Sequence, residues 1–198
     1  MTPTPWPLDC HLDLRDGLLG AYGAPERGYH DLHHLAEVLE HATALLQSEP
    51  GEPTTIALAA WYHDAVYDGA RDDEERSALL AEQQLSGAGV SGTLVAEVAR
   101  LVRLTATHDP GAHDANGRVL SDADLAILAA APERYAAYVA GVRRDFADHS
   151  DEEFRAGRLS VLETLAGRDR LFHTGTGHEL WNAAARANLA REIAALSR

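Results

Sequence analysis

Apolar residues in this chain recur at helical spacing and almost nowhere in the strict alternation of a strand, which restricts the fold to packed helices. Between Asp31 and Gln47, the positions Leu32, Leu35, Ala36, Leu39, Ala42 and Leu46 follow the i, i+3, i+4, i+7 order of an amphipathic helix. The segment "SEPGEP" then stops it. A second helix is expected from Thr54 through Trp61 toward Val66, broken by Asp68 and Gly69. A third begins in the acidic run at 72–75, where negative charge favours a helix N-terminus, and ends at "SGAGVSG". Ser91 opens another, which carries Leu94, Val98, Leu101, Val102 and Thr105 to the neighbourhood of His108.

"DPGAHDANGRV" reads as the longest polar, glycine-bearing connection in the middle of the chain. Ser121, with Asp124 three residues on, reads as the N-cap of a helix that starts in "SDADLAIL". Pro132 sits just inside a further helix start, Ser150 with Glu153 makes a capping box, and a last helix covers the region from Glu179 to Leu196. The expected architecture is an all-α bundle of about eight or nine helices joined by short loops. With 198 residues and 45% hydrophobic content, the chain suffices for one domain with a real core, spanning 1–198, in which "MTPTPWP" at 1–7 is a proline-rich lead-in.

Charge narrows the partners. There are 31 acidic residues against 17 basic ones, every cation is arginine, and the formal charge is -14. Such a surface repels polyanions, which argues against duplex nucleic acid and against anionic membranes. A phosphate contact would have to be local, through individual arginines that fork onto its oxygens. The single cysteine, Cys10, excludes an internal disulfide framework and a thiolate zinc knuckle. No apolar run approaches a membrane span and no charged-then-apolar leader is present, so a cytoplasmic protein is expected.

Inside this apolar pattern, "AAWYHDAVYD" at 59–68 sets His63 directly before Asp64. Burying an imidazole and a carboxylate without partners costs several kcal/mol, of order 2–7 for the polar group alone. Neighbours on a helix point about 100° apart, so the two do not face one another and need a common third partner. A divalent ion fits: imidazole nitrogen with carboxylate oxygen suits zinc, iron, manganese, cobalt or nickel better than calcium. The remaining ligands are expected from other helices, namely a histidine of the earlier helix and a carboxylate of "SDADL", either Asp122 or Asp124. On that earlier helix His30, His34, Glu37 and His41 share one face, while His33 and His41 read better as satisfied boundary histidines.

The order of these residues, a histidine, then a His-Asp doublet, then a downstream aspartate, resembles the HD superfamily of metal-dependent phosphohydrolases. "RGYHDLHHLAEVL", "AAWYHDAVYD" followed by "DDEERSA", "LTATHD", "SDADLAIL", "FRAGRLSVLETL" and "AARANLAREI" together look like a bacterial branch of that superfamily with chains of similar length. The resemblance implies a helical HD-domain bundle and makes His30, His63, Asp64 and Asp124 the metal ligands, with Asp122 behind them. It implies hydrolysis of phosphate esters by metal-activated water, Asp64 serving as ligand and catalytic carboxylate, and Glu74, then Asp68, completing proton transfer. His108 and His113 stand where members with two metals carry extra histidines, so a second ion is a variant of the same expectation. Arg27, Arg76 and Arg103 are candidates to receive the phosphate, with Arg27 favoured by its place before His30, and His34 is a candidate substrate contact. Gly157-Arg158, Arg186 and Asn188 match the family without an assigned chemistry, so a structural use is the default.

The expected substrate is a small nucleotide or another phosphorylated metabolite, and the pattern leaves room for a homodimer. The alternative is a module with the HD fold that binds metal or nucleotide without turnover. A zinc protease is disfavoured, because "HDLHH" at 30–34 has aspartate where such helices need glutamate after the first histidine. A plain helical bundle with incidental histidines would bind no metal and would keep its stability when His63 and Asp64 become alanine together.

Overall fold

A computed structural model describes residues 6–8, 10–69 and 72–198, so positions 1–5 of the proline-rich lead-in lie outside the described residues. Among the described residues the chain forms α1 (Leu12–Tyr22), α2 (Leu32–Leu45), α3 (Pro53–Tyr62), α4 (Asp73–Gly87), α5 (Gly92–Thr105), α6 (Ala115–Leu125), a 3-10 turn (Ala126–Ala129), α7 (Pro132–Asp145), α8 (Asp151–Ala166) and α9 (Gly175–Leu196), with no strand. None of these helices is long and apolar enough to cross a membrane.

Local chemistry sets most of the helix ends. Asp31 caps α2 by accepting from the backbone N–H groups of His33 and His34. Pro132 sits at the first turn of α7, and Ser150 and Glu153 form the reciprocal capping box of α8.

Two helices depart from expectation. α6 begins at Ala115, so Ser121 is a buried mid-helix residue and not a cap. The real cap is Asp114, which accepts from the N–H of Gly117. A Cβ on Gly117 would lie 2.3 Å from the Asp114 carboxylate and 2.6 Å from Leu104, so the glycine that reads as a turn is there to let the cap and α5 approach. The second departure is α3, which stops at Tyr62, short of the expected Val66.

Buried apolar residues form two clusters. One joins α1 to α6 around Leu35, Leu58, Trp61, Tyr62, Leu101 and Leu120. The other joins Tyr29, the 3-10 turn, α7, α8 and α9 around Leu128, Leu162, Phe172, Ala185 and Leu189. Trp181 packs against both, and the two make a single domain. Along their seam runs a cavity of about 620 Å³ lined from both sides, by Asp64, Glu74 and His108 on one and by Leu128, Tyr138 and Leu165 on the other.

Candidate metal centre

The end of α3 is shaped by side chains that take over the helix ladder. In a continuing helix the Asp64 N–H would bond to the Ala60 carbonyl. Here that carbonyl accepts from His63 Nδ1 at 2.7 Å, and the Asp64 N–H donates to the Tyr22 hydroxyl at 3.1 Å. Arg27 donates to the carbonyls of His30 (2.7 Å), Asp64 (2.8 Å) and Ala65 (3.1 Å), with its guanidinium over the Tyr22 ring. Ser77 both donates to the Val66 carbonyl and accepts its N–H, and the Asp73 carboxylate accepts from the N–H groups of Asp68 and Gly69. The backbone freed by stopping the helix is thus satisfied by α1, α4 and the loop before α2.

This turn brings His63 Nε2 to 3.0 Å from Asp64 Oδ2, which adjacent residues of a regular helix do not achieve. α2 packs on α6 and supplies the rest. His34 Nε2 lies 3.0 Å from His63 Nε2, 3.4 Å from Asp64 and 3.3 Å from Asp124, and His63 lies 3.8 Å from Asp124. His34, His63 and Asp124 offer ligand atoms all within 4.8 Å of one another.

The chemistry of this set favours a cation. A carbonyl oxygen only accepts, so the contact with Ala60 puts the proton of neutral His63 on Nδ1 and leaves a lone pair on Nε2. That lone pair faces a second imidazole nitrogen and two carboxylates. Two ligands bound at ~2.1 Å to one ion in tetrahedral or octahedral geometry sit ~3.0–3.4 Å apart, which matches most of these separations. Burial opposes charge on His34, but its hydrogen bonds to Asp124 and Asp64 outweigh that and hold its pKa up at about 10. Burial likewise works against ionised Asp64 and Asp124, yet the surrounding histidines hold both carboxyls well below the usual range. What this pocket selects is positive charge, as protons or as a metal ion.

Two further histidines flank the cluster. His108 follows α5 in left-handed backbone conformation (φ 48°), a strain of roughly 1–2 kcal/mol for a residue with a Cβ. Its carbonyl is held by Arg168 and by the His173 ring, and its Nε2 meets Asp124 Oδ2 at 2.7 Å. His30 precedes α2 and lies outside the three-residue ligand set. Its Nδ1 bonds to Asp145 Oδ2 at 2.8 Å, its ring stacks on Tyr67 at 4.0 Å, and it lines the cavity. Asp145 accepts only, so His30 donates to it through Nδ1, which sets the ring direction and leaves Nε2 out of that bond.

The structure places the expected residues as follows. His34, expected to touch substrate, belongs to the cluster that could hold a metal ion, and His30, expected among the ligands, stands beside it. His63, Asp64 and Asp124 come together as expected, although Asp124 lies in the last turn of α6 and not at a helix start. Asp122 points elsewhere, its buried carboxylate accepting from the N–H groups of His173 and Thr174 and from the Thr174 hydroxyl, which pins the start of α9. Glu74 lines the cavity, where burial and the nearby charges of Asp64 and Asp73 push its pKa up. Asp68 is exposed and paired with Arg76, which also bonds to Asp73. Arg103 is taken up by Glu75 and Glu82. None of Arg27, Arg76 and Arg103 lines the cavity, and each guanidinium is committed to carbonyls or carboxylates. His113 is exposed and also outside it. His33 is exposed beside Glu37, and His41 packs on Trp181.

Asp145 is the residue that sequence reasoning missed. It lies 115 positions from His30, and no local signal separates it from a helix C-terminal polar residue. Arg158, Arg186 and Asn188 do have structural uses. Arg158 pairs with Glu192, Arg186 donates to the carbonyls of Ala166 and Arg168, and Asn188 donates to those of Leu128 and Ala130.

Comparison of the chain with protein-family models, with curated proteins and with solved structures finds no match in any of the three. The likeness to the HD superfamily thus rests on the chain's own motifs.

Proposed function

We propose that this chain is a metal-dependent hydrolase of phosphate esters in which His34, His63, Asp64 and Asp124 hold one divalent transition ion. The observation that supports this most is the convergence of two imidazole nitrogens and two carboxylates from three helical segments, of which Asp64 and Asp124 line a cavity of about 620 Å³, within the size range of small-molecule sites. The ion, when bound, supplies a Lewis acid for a phosphoryl oxygen and an acidified water. The chain's own groups do the rest. His108 holds one oxygen of Asp124 and leaves the other for the ligand set. His30, fixed by Asp145, offers Nε2 to a substrate proton or to a second ion. Glu74, with its raised pKa, takes up the proton released from the attacking water.

The test is metal content and phosphate release measured on wild type, His34→Ala, His30→Ala and Asp64→Ala after loading with manganese, iron, cobalt, nickel or zinc. His34→Ala and Asp64→Ala should lose near-stoichiometric metal together with turnover, whereas His30→Ala should retain metal. Wild type that binds none of the five metals sinks the proposal, and metal without turnover of any ester leaves a binding module.

A further inference from the structure

The cavity lining is of two kinds. Asp64 and Asp124 of the cluster line it together with His30, His108 and Glu74. The 3-10 turn, α7 with its C-terminal Phe146, and α8 add an apolar stretch of Leu128, Tyr138, Val142, Phe146, Phe154 and Leu165, which Val161 extends along the same face of α8, beside the polar Glu153, Arg158, Ser160 and Thr164. Val161 is 52% exposed although it lines the cavity, so the wall continues to the mouth as apolar surface that the fold itself does not cover.

The basic groups lining the cavity, among the described residues, are two arginines and the imidazoles of His30, His108 and His149. Among the described residues lining the cavity the guanidinium groups are those of Arg158 and Arg168. Arg158 bonds to Glu192 through Nε and one Nη and to the Tyr138 hydroxyl through the other. Arg168 spends both Nη groups on the carbonyls of His108 and Thr107. Asp64, Glu74, Asp124 and Glu153 line the same space. A single metal ion can offset one phosphate there, and a chain of phosphates would set several further charges against carboxylates and aromatic rings.

We propose, resting on the hydrolase assignment above, that the substrate is a phosphomonoester with one phosphate and an aromatic or otherwise apolar alcohol portion, which lies along the Tyr138, Phe154, Val161 and Leu165 wall. The broader expectation of a small nucleotide narrows accordingly, and nucleoside polyphosphates are disfavoured. Each methylene-sized group moved from water onto such a wall is worth about fourfold in affinity. A bicyclic aromatic group that lays one face of about 110 Å² on this wall gains about a hundredfold over a bare methyl.

The experiment uses the full chain loaded with its preferred metal. Calorimetry compares 1-naphthylmethylphosphonate with methylphosphonate, which are not hydrolysed. Steady-state assays compare 1-naphthyl phosphate, glycerol 3-phosphate and ATP. The naphthyl compounds should exceed methylphosphonate in affinity and the other two esters in kcat/KM by about a hundredfold. Val161→Glu, at a half-exposed position that the fold tolerates, should cut the phosphonate affinity ratio at least tenfold, with the melting temperature as the check on folding. A phosphonate ratio below threefold, or ATP or glycerol 3-phosphate turned over as well as the naphthyl ester, overturns the proposal. Should no ester be hydrolysed while the phosphonate ratio stays high and falls in Val161→Glu, the apolar arm stands as a ligand site and the hydrolase assignment alone fails.

Discussion

Replacing Arg158 by methionine tests whether this arginine is a wall of the cavity or a receiver of phosphate. Its side chain and that of Glu192 are only 7% and 8% exposed, joined at 2.8 Å, with the Tyr135 hydroxyl donating to Glu192 at 2.6 Å and Arg158 donating to the Tyr138 hydroxyl at 2.9 Å. Methionine keeps much of the stem's packing and strands the carboxylate, and breaking a buried pair in this way costs about 3–5 kcal/mol. With an unfolding entropy of about 2.1 cal/mol/K per residue, each kcal/mol moves the melting temperature of a chain this long by about 2.4 °C, so Arg158→Met should melt about 7–12 °C lower. Adding Glu192→Gln removes the stranded charge while keeping an acceptor for Tyr135, and should recover about 2 kcal/mol of that loss. The assay is thermal and urea unfolding of wild type, the single variant and the double variant in one buffer. A single-variant cost below about 1 kcal/mol, or a double variant less stable than the single, would refute the stranded-charge argument. A rise in KM for every phosphate ester with unchanged stability would instead make Arg158 a phosphate receiver.

Two other expectations follow from the same geometry. Arg27→Met removes the donors to three carbonyls behind the doublet, so it should cost about 2–3 kcal/mol and weaken metal affinity about 10–100-fold without touching a ligand; unchanged metal affinity in a titration would contradict that positioning role. The folded-state pKa of Glu74 lies above its ordinary 4.5, so its stability contribution is present below that value and is lost as pH rises through the shifted one. Glu74→Gln should therefore raise the melting temperature at pH 8, change it little at pH 4, and remove the acidic limb of the kcat profile. A variant less stable than wild type at pH 8 would show that the carboxylate is stabilised where it sits.

Local chemistry was legible in the sequence, and long-range partnership was not. Pro132, the Ser150 and Glu153 box and the apolar stripe of α2 each act within one turn, so the helices they define could be read directly. α6 could not, because Asn116 and Gly117 look like a turn unless one knows that Leu104 and Asp114 crowd that glycine. The different surroundings of His30 and His34 have a related cause. The two are four residues apart and would share a face if both were helical, but the cap at Asp31 leaves His30 outside α2. Its ring direction is then set by Asp145, while His34 follows the helix face that packs on α6.

The His-Asp doublet could be recognised as needing a shared partner, but the close approach of its two side chains comes from the helix stopping there. On a continuous helix they would diverge by about 100°. The ring of His63 and the hydroxyl of Tyr22 take the hydrogen bonds that would have continued α3, and Arg27, Ser77 and Asp73 satisfy the five residues that follow. The same Nδ1 contact that ends the helix also fixes the tautomer of His63, leaving Nε2 as a lone pair in the cluster. Helix termination and the orientation of the His63 ring are therefore one event, and among the described residues beside the doublet Arg27 is spent on backbone and Arg76 on carboxylates.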